Sequence, residues 1–275
     1  MAEAVRAGLS GFTKTERKAA QVLLSNYPAA GLSPVAEFAA RAGVSAPTVL
    51  RFVARLGPGG YPEFQRRLRQ ELEARLTPPL GKAEPHAAIA EPDAPSNFAA
   101  AVARNVAETF ASVPAAEFDA VVDLLADPRR RIHAMGGRFT EALALYLVRH
   151  LRILRDDVSL VDHQTATWGD QIIGFGARDV LVVFDIRRYQ ADVVRVAKEA
   201  HARGTTVVLF TDQWLSPVVQ VAGTVIAARV AVPSNWDSGA ALLAITEAIV
   251  AQVTRRLWPT ARKRLESLEG LRADR

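Results

Sequence analysis

The stretch Pro34-Val-Ala-Glu-Phe-Ala-Ala-Arg-Ala-Gly43-Val-Ser45-Ala-Pro-Thr48-Val-Leu-Arg51-Phe-Val-Ala-Arg55-Leu-Gly57 decides the fold of the first quarter of this chain. A short helix over Pro34–Ala40 runs towards Gly43, which supplies the positive-φ residue that a sharp turn requires. Ser45 is the N-cap of a second helix, Ala46–Leu56. Pro47 falls in its first turn, where a missing N–H does no harm. Val44, Val49, Phe52 and Leu56 face a core. Ser45, Ala46, Thr48, Arg51 and Arg55 are left towards solvent. A helix–turn–helix places such a face in the major groove of DNA, its N-terminal residues nearest the base edges. Arg reads guanine bidentately, and Ser or Thr holds a phosphate or a base edge.

The flanking segments also read as helices. Thr13–Asn26 opens with Thr13 and Glu16, the spacing of a capping box. Tyr61–Leu76 is rich in arginine, and Arg66, Arg67 and Arg69 read as a solvated face or as phosphate contacts. Residues 1–76 carry 11 Lys/Arg and 6 Asp/Glu, whereas residues 77–275 carry 23 of each. The entire net charge of +5 therefore lies in the first quarter. A basic segment joined to a neutral one fits nucleic-acid binding coupled to a separate task.

Residues 77–97 hold five prolines among alanines and acids and read as a linker. Beyond it, helices are expected over Phe98–Val113 and Ala116–Ala126. Strands and helices then alternate. Strands are expected at 131–135, 158–161, 179–184, 206–210 and 224–228. Helices are expected at Phe139–Leu151, Thr165–Ile173, Ala191–Ala202 and Trp236–Trp258. The continuous apolar runs DVLVVF and TVVLF are of the kind buried on both faces of a parallel sheet. The fold expected is thus α/β: an all-α helix–turn–helix N-terminal domain, then a three-layer α/β/α domain with a five-stranded parallel sheet. The boundaries expected are 1–76, a linker over 77–97, 98–258, and a charged tail over 259–275.

The run FTKTERKAAQVLLSNYP, then LSPVAEFAARAGVSAPTVLRFVARLG, then GYPEFQRRLRQEL resembles the helix–turn–helix domain of RpiR-type transcriptional regulators. The resemblance covers roughly residues 10–76. Its specific core is V-S-x-x-T-V-x-R-F-x-x-x-L-G followed by Gly-Tyr-x-x-Phe. It implies that Ser45, Thr48 and Arg51 meet DNA. One departure is Pro58-Gly59 after Leu56-Gly57, a short loop insertion. Residues 98–258 resemble a SIS (sugar isomerase) domain, the usual partner of this DNA-binding domain. Such domains bind phosphosugars at the C-terminal ends of the parallel strands, where an open α/β sheet offers a crevice and helix N-termini offer N–H groups.

The loops depart from that pattern. The first reads Gly136-Gly137-Arg138-Phe139-Thr140, with Arg and Phe where the family carries small hydroxyl residues. The second reads Asp185-Ile186-Arg187-Arg188-Tyr189-Gln190 and lacks the serine-rich turn. Thr211-Asp212 follows the fourth strand, and Ser234-Asn235-Trp236-Asp237-Ser238 precedes the last long helix. Cations thus replace the hydroxyl cradle, and guanidinium groups hold phosphate or carboxylate tightly. The candidate effector residues are Gly136, Gly137, Arg138, Thr140, Asp185, Arg187, Arg188, Thr211, Ser234 and Ser238. The competing reading pairs Arg187 and Arg188 with acids such as Asp185, or places them at a subunit interface.

Other chemistry finds little footing. With no cysteine among 275 residues, disulfides, a Cys nucleophile and thiolate metal sites are excluded. The five histidines show no metal spacing, and P-loop and G-x-G-x-x-G motifs are absent. His133 reads as a satisfied core residue. No catalytic residue, cofactor or metal is expected, although Glu141, His150 and Glu247 are available as bases for an isomerase. No stretch is long enough to span a membrane, and the N-terminus lacks a signal-peptide block, so a cytoplasmic protein is expected. The leading expectation is a regulator that binds double-stranded operator DNA as a homodimer or homotetramer and senses a small anionic metabolite. The alternatives are a sugar-phosphate isomerase, or a DNA-binding protein whose second domain only oligomerises.

Overall fold

A computed structural model describes residues 1–76, 94–161 and 167–273. Residues 77–93 of the expected linker lie outside the described residues, as do residues 165 and 166 of the helix expected there. Two separate hydrophobic cores form, one in the helical N-terminal region and one around the sheet.

The N-terminal region contains α1 (Ala2–Ala7), α2 (Lys14–Ser25), α3 (Ala29–Leu32), α4 (Val35–Ala42), α5 (Ala46–Arg55) and α6 (Gly60–Leu76). The capping box starts α2: Glu16 N–H donates to Thr13 Oγ1 at 3.3 Å, and Thr13 N–H donates to Glu16 Oε2 at 2.9 Å. Gly43 ends α4 at φ 60°, and nothing lies within 4 Å of a Cβ placed there. Glycine at this position therefore answers to backbone conformation, not to space. The core gathers Leu23, Phe38, Val49, Phe52 and Leu68, all at 0% exposure. Each such side chain contributes roughly 1.5–3 kcal/mol of burial free energy. Phe12 meets Phe52 edge to face at 5.3 Å. Tyr61 donates to the Ser33 carbonyl at 2.8 Å and Gln65 to the same carbonyl at 2.9 Å. These bonds tie α6 to the segment that enters α4. Burial pushes the Tyr61 hydroxyl up to about 12.

The second region comprises α7 (Ala94–Ser112), α8 (Ala115–Ala126), β1 (Arg131–Gly136), α9 (Glu141–Leu154), β2 (Val158–Leu160), α10 (Trp168–Ile172), β3 (Asp179–Asp185), α11 (Ala191–Ala202), β4 (Thr206–Asp212), β5 (Thr224–Ala228) and α12 (Ala240–Ala273). The strands form one five-stranded sheet, ordered β2-β1-β3-β4-β5 and parallel throughout. Every residue of β3 is buried, as a central parallel strand requires. One face, with Ile132, Val182, Phe184, Phe210 and Ile226, packs on α8, α9 and α12. Phe184 and Phe210 are register partners and stack at 4.6 Å. Val193, Val196, Ala197 and Ala200 of α11 are buried, outside that cluster, where α11 packs on β3 and β4. The sheet is thus the middle of three layers. Strand order reverses between β1 and β3, so this is the topological switch point, where open α/β sheets leave a crevice.

Three differences from the sequence expectation bear on the site and the C-terminus. Helix α7 begins at Ala94, with Pro95 in its first turn, where proline is tolerated. Helix α9 begins at Glu141, leaving Phe139 in the loop. The last helix begins at Ala240, leaving Trp236 in the loop, and continues through Pro259 to Ala273. The residues expected as a charged tail are therefore helical up to Ala273. Ala261 is fully buried, and Arg264 pairs with Asp156 at 2.5 Å and bonds the Arg152 carbonyl.

Candidate functional site

Helix α5 carries the candidate DNA face. Ser45 is its N-cap, but the Ser45 hydroxyl bonds Thr48 Oγ1 at 2.9 Å and caps no backbone amide. Thr48 is not solvent-facing as its helical spacing suggested. It is 6% exposed, and Arg51 Nη2 donates to its hydroxyl at 3.1 Å. Ser45, Thr48 and Arg51 thus form one hydrogen-bonded row along the first turn and a half of α5, with Arg51 itself exposed. Ala46 is partly buried against the core. Arg55 is anchored within its own domain: it pairs with Glu16 at 3.0 Å and its guanidinium lies 5.2 Å above the Phe12 ring. Glu16 is 5% exposed. The Thr13 backbone N–H, ahead of the Thr13 hydroxyl and Arg55, holds its carboxyl below the usual range against the opposing pull of burial. Of the expected charge run, Arg66 and Arg67 both pair with Glu63, whose carboxyl Arg66 and Arg67 hold down at about 2.

At the switch point, the loops after β1 and β3 and the loop before α12 enclose a cavity of about 720 Å³. Of the ten candidate effector residues, Gly137, Arg138, Thr140, Asp185, Arg187 and Arg188 line it. Gly136, Thr211, Ser234 and Ser238 do not line it, and each has a local structural role. A Cβ on Gly136 would lie 2.4 Å from the Glu141 nitrogen, so glycine lets α9 start against the strand end. Thr211 donates to the Asp185 carbonyl at 2.6 Å and accepts from Ser216 N–H at 3.0 Å. Ser234 accepts from Trp236 N–H at 3.1 Å, and Ser238 from Ala240 N–H at 3.2 Å.

Much of the polar lining is also engaged. Thr140 donates to the Phe184 carbonyl at 2.6 Å and accepts from Gly137 N–H at 2.8 Å. Asp185, 2% exposed, accepts from the Ser216 hydroxyl. Arg187 forms a buried bidentate pair with Asp237, their side chains 3% and 5% exposed. Its backbone N–H donates to Asp212, which also accepts from the Tyr189 hydroxyl at 2.8 Å. The expectation that Arg187 could pair with an acid is realised with Asp237, not Asp185.

Arg138 and Arg188 differ. Among the described residues no carboxylate pairs with either. Arg138 lies 5.3 Å above the Phe139 ring and Arg188 lies 5.6 Å above the Trp236 ring. The two rings meet edge to face at 5.5 Å. Arg188 has φ 69°, a left-handed conformation costly for a residue with a Cβ. Phe139, Trp236, Asp237 and Gln190 also line it, beside Ala142, Leu143, Ile186 and Gly239, although sequence reasoning did not select them. The signal available for the last loop was Ser238-Gly239, a helix N-cap that places Trp236 and Asp237 outside the helix.

The bases open to an isomerase are elsewhere. Glu247 accepts from the Tyr146 hydroxyl at 2.8 Å, and His150 packs on the Tyr146 ring at 4.3 Å. Neither they nor Glu141 line the cavity. His133 sits in the sheet with Nδ1 2.7 Å from Ser159 Oγ and Nε2 2.9 Å from Asp179 Oδ1, stacked on Phe175. Among the described residues no His, Asp or Glu cluster suits a metal, and no helix is long and apolar enough to cross a membrane.

Comparison with known proteins matches this organisation. Residues 1–75 match the model of the rpiR-family helix–turn–helix domain, and residues 124–256 match the SIS domain model. The HTH-type transcriptional regulator HexR of Pseudomonas aeruginosa is 31% identical over 218 residues, covering 76% of this chain and 72% of HexR. Among solved structures, the sugar isomerase domain of an RpiR transcription factor from Sphaerobacter thermophilus aligns with TM-score 0.60 at 20% identity. It covers 64% of this chain and 97% of that one. Vibrio vulnificus NanR, solved with ManNAc-6P, aligns with TM-score 0.57 at 16% identity over 97% of this chain and 96% of its own. A helix–turn–helix region followed by a SIS sheet, in this order and at this identity, places the chain in the RpiR family of transcriptional regulators.

Proposed function

We propose that this regulator binds double-stranded operator DNA through the exposed Ser45, Arg51 and Arg55, with the buried Thr48 bracing Arg51 and Ala46 packed beneath them, and that a small anionic metabolite in the switch-point cavity changes its operator affinity. The observation that carries the sensing half is the pair Arg138 and Arg188 at the rim of a cavity formed at the strand C-termini. Two guanidiniums beside a crevice favour an anion strongly. NanR, of the same fold, was solved with ManNAc-6P, which supports a small anionic ligand for a protein of this fold. The division of labour proposed is DNA binding in 1–76, a linker over 77–93, and effector binding and assembly in the domain that begins with α7 and ends with α12. The DNA half rests on the row Ser45–Thr48–Arg51, which presents a guanidinium from a braced first turn.

The protein assembles as a homodimer or homotetramer in the cytoplasm. Phe98 and Phe110 on α7, at 41% and 44% exposure, offer apolar surface for a second copy. Rotation of one copy against another alters the spacing of the two recognition helices. Half-sites about 34–36 Å apart make operator affinity sensitive to that spacing. Turnover is not part of the proposal, because Glu141, His150 and Glu247 are not among the residues that line the cavity.

The test uses the full chain. An operator is enriched from a random duplex pool, and its affinity is then measured by fluorescence anisotropy at fixed salt. Arg51→Ala is expected to weaken specific binding by roughly 1–3 kcal/mol. A saturating ligand from a panel of anionic metabolites is expected to shift wild-type affinity and to leave an Arg138→Ala, Arg188→Ala variant unmoved. Operator affinity indifferent to every such ligand at fixed salt would overturn the sensing half.

A further inference from the structure

The walls of the cavity carry information about what enters it. A phosphosugar needs two things from a site: several N–H and O–H donors converging on the phosphate, and acceptors for the hydroxyl hydrogens of the sugar. Here the donors nearest the strand ends are turned away. The Thr140 hydroxyl hydrogen goes to the Phe184 carbonyl, and that of Ser216 goes to Asp185. Gly137 N–H goes to Thr140 Oγ1, Arg138 N–H to Gln190 Oε1, and Arg187 N–H to Asp212. The acceptors are engaged as well. Asp237 holds Arg187, Gln190 Oε1 takes Arg138 N–H, and Asp185 takes Ser216.

What remains is of a different kind. Arg138, Phe139, Trp236 and Arg188 follow one another as cation, ring, ring, cation, each in contact with the next. Phe139 and Trp236 are 61% and 53% exposed, large apolar faces at the mouth of a cavity whose apolar wall also includes Ala142, Leu143 and Ile186, beside the engaged polar groups Thr140, Asp185, Arg187, Gln190 and Asp237. An exposed ring pair favours a flat apolar body, which stacks offset or edge on. One guanidinium fork satisfies a planar carboxylate with two parallel bonds. A phosphate would meet the same guanidiniums, but without the hydroxyl and amide donors that the strand ends have turned to internal partners.

We infer that the cavity takes a carboxylic acid with a flat apolar body, of the aromatic-acid class, in place of a polyhydroxylated sugar phosphate. The carboxylate lies on Arg188 or Arg138 and the ring stacks against Trp236 and Phe139. This inference rests on the proposed reading of the cavity as the effector site and specifies its ligand class.

The experiment is isothermal titration calorimetry on the full chain with two panels. One contains benzoate, phenylacetate, phthalate, terephthalate and indole-3-acetate. The other contains hexose and pentose phosphates, with inorganic phosphate as a control. Saturable binding of at least one aromatic acid is expected, with no response to the phosphate panel. Trp236→Ala and Arg188→Ala are each expected to weaken it about tenfold or more, a change of ~1.4 kcal/mol within the range of a desolvated stacking contact. Both side chains stand at the surface of the loops, so circular dichroism should report folded variants. Ser234→Ala is expected to leave binding unchanged. Binding confined to the sugar phosphates, and lost in Arg188→Ala, would overturn the inference while leaving the cavity as the effector site. Aromatic-acid binding untouched by both substitutions would overturn both readings, as would silence from both panels.

Discussion

Each half of the molecule holds an arginine–carboxylate pair, and the two pairs behave differently. In the helical region, Arg55 meets Glu16 at 3.0 Å with its side chain still 45% exposed, while the Glu16 side chain is 7% exposed. At the end of the sheet, Arg187 and Asp237 are 3% and 5% exposed and joined by two bonds. The first arginine keeps its water, so opening the pair leaves its own charge solvated while Thr13 still bonds the Glu16 carboxylate. The second has no such freedom, because leaving its partner strands a charge in the interior. Position in the fold thus sorts chemically identical side chains into ligand groups and structural braces. It also leaves Arg188, not its neighbour Arg187, as the cation proposed to hold an anion at the cavity.

Removing one partner from each pair tests that contrast, and the largest effect belongs to the buried one. Asp237→Ala leaves Arg187 uncompensated and is expected to cost about 3–5 kcal/mol, read as a lower midpoint in urea unfolding at unchanged slope. The double replacement Arg187→Met, Asp237→Leu should recover most of the loss. If Asp237→Ala were as mild as a surface substitution, the pair would not be the brace described.

Acid should separate the two regions next. His133 is held below its ordinary 6.5, chiefly by burial, with Asp179 pulling the other way. Asp179 is held below its ordinary 3.8: burial raises it, but the bonds from His133, Arg131 and Gly176 N–H together outweigh that. For both groups the unfolded chain binds protons at higher pH than the folded one. Stability from His133 is therefore complete above about pH 6.5 and declines as pH falls through the folded value. Loss from Asp179 follows below pH 3.8. The sheet should soften as pH falls below about 6.5, and His133→Gln should flatten that part of the profile. A profile with the same slope in the variant would remove His133 from the account.

The helical region was legible because its signals are local. Thr13 and Glu16 are three residues apart, Gly43 carries its own φ, and Pro47 sits in a first turn. Thr48 escaped because its burial comes from the neighbouring Ser45 hydroxyl and the core beneath, which a helical wheel does not include. The strands were legible because continuous apolar runs such as 179–184 leave little choice. The cavity was half legible. Arg138 and Arg188 stand out as cations in glycine-bearing or turn segments. Phe139 and Trp236, by contrast, were absorbed into adjacent helices, since an aromatic beside a helix start carries no mark of exposure. The engagement of Thr140 and Thr211 depends on carbonyls 44 and 26 residues away, and Asp237 finds Arg187 across 50 residues. No window along the chain contains those partners.

A smaller effect is expected from the exposed pair. Glu16→Ala removes half of the capping box and releases Arg55. Loss of the capping bond contributes about 0.5–2 kcal/mol, and the half-exposed ion pair adds no more than about 1 kcal/mol. Arg55→Met, which keeps the apolar stem over Phe12, should cost less still. Thermal melts of the two variants would rank them, and the reverse ranking would mean that the ion pair, not the cap, holds the start of α2.

The smallest effect on stability, and the sharpest on binding, belongs to Arg188→Gly. At φ 69° an L-residue carries roughly 1–2 kcal/mol of conformational strain. Glycine adopts that backbone without strain but gives up more chain entropy on folding. The two terms oppose each other, and loss of the Trp236 contact is worth about 0.5–1 kcal/mol at an exposed site. Net stability should therefore stay within about 1 kcal/mol of wild type while anion binding at the cavity falls. A brace would give the opposite result, a large loss of stability with binding intact. Set beside Asp237→Ala, this variant asks whether two consecutive arginines on one loop have divided structure and recognition between them.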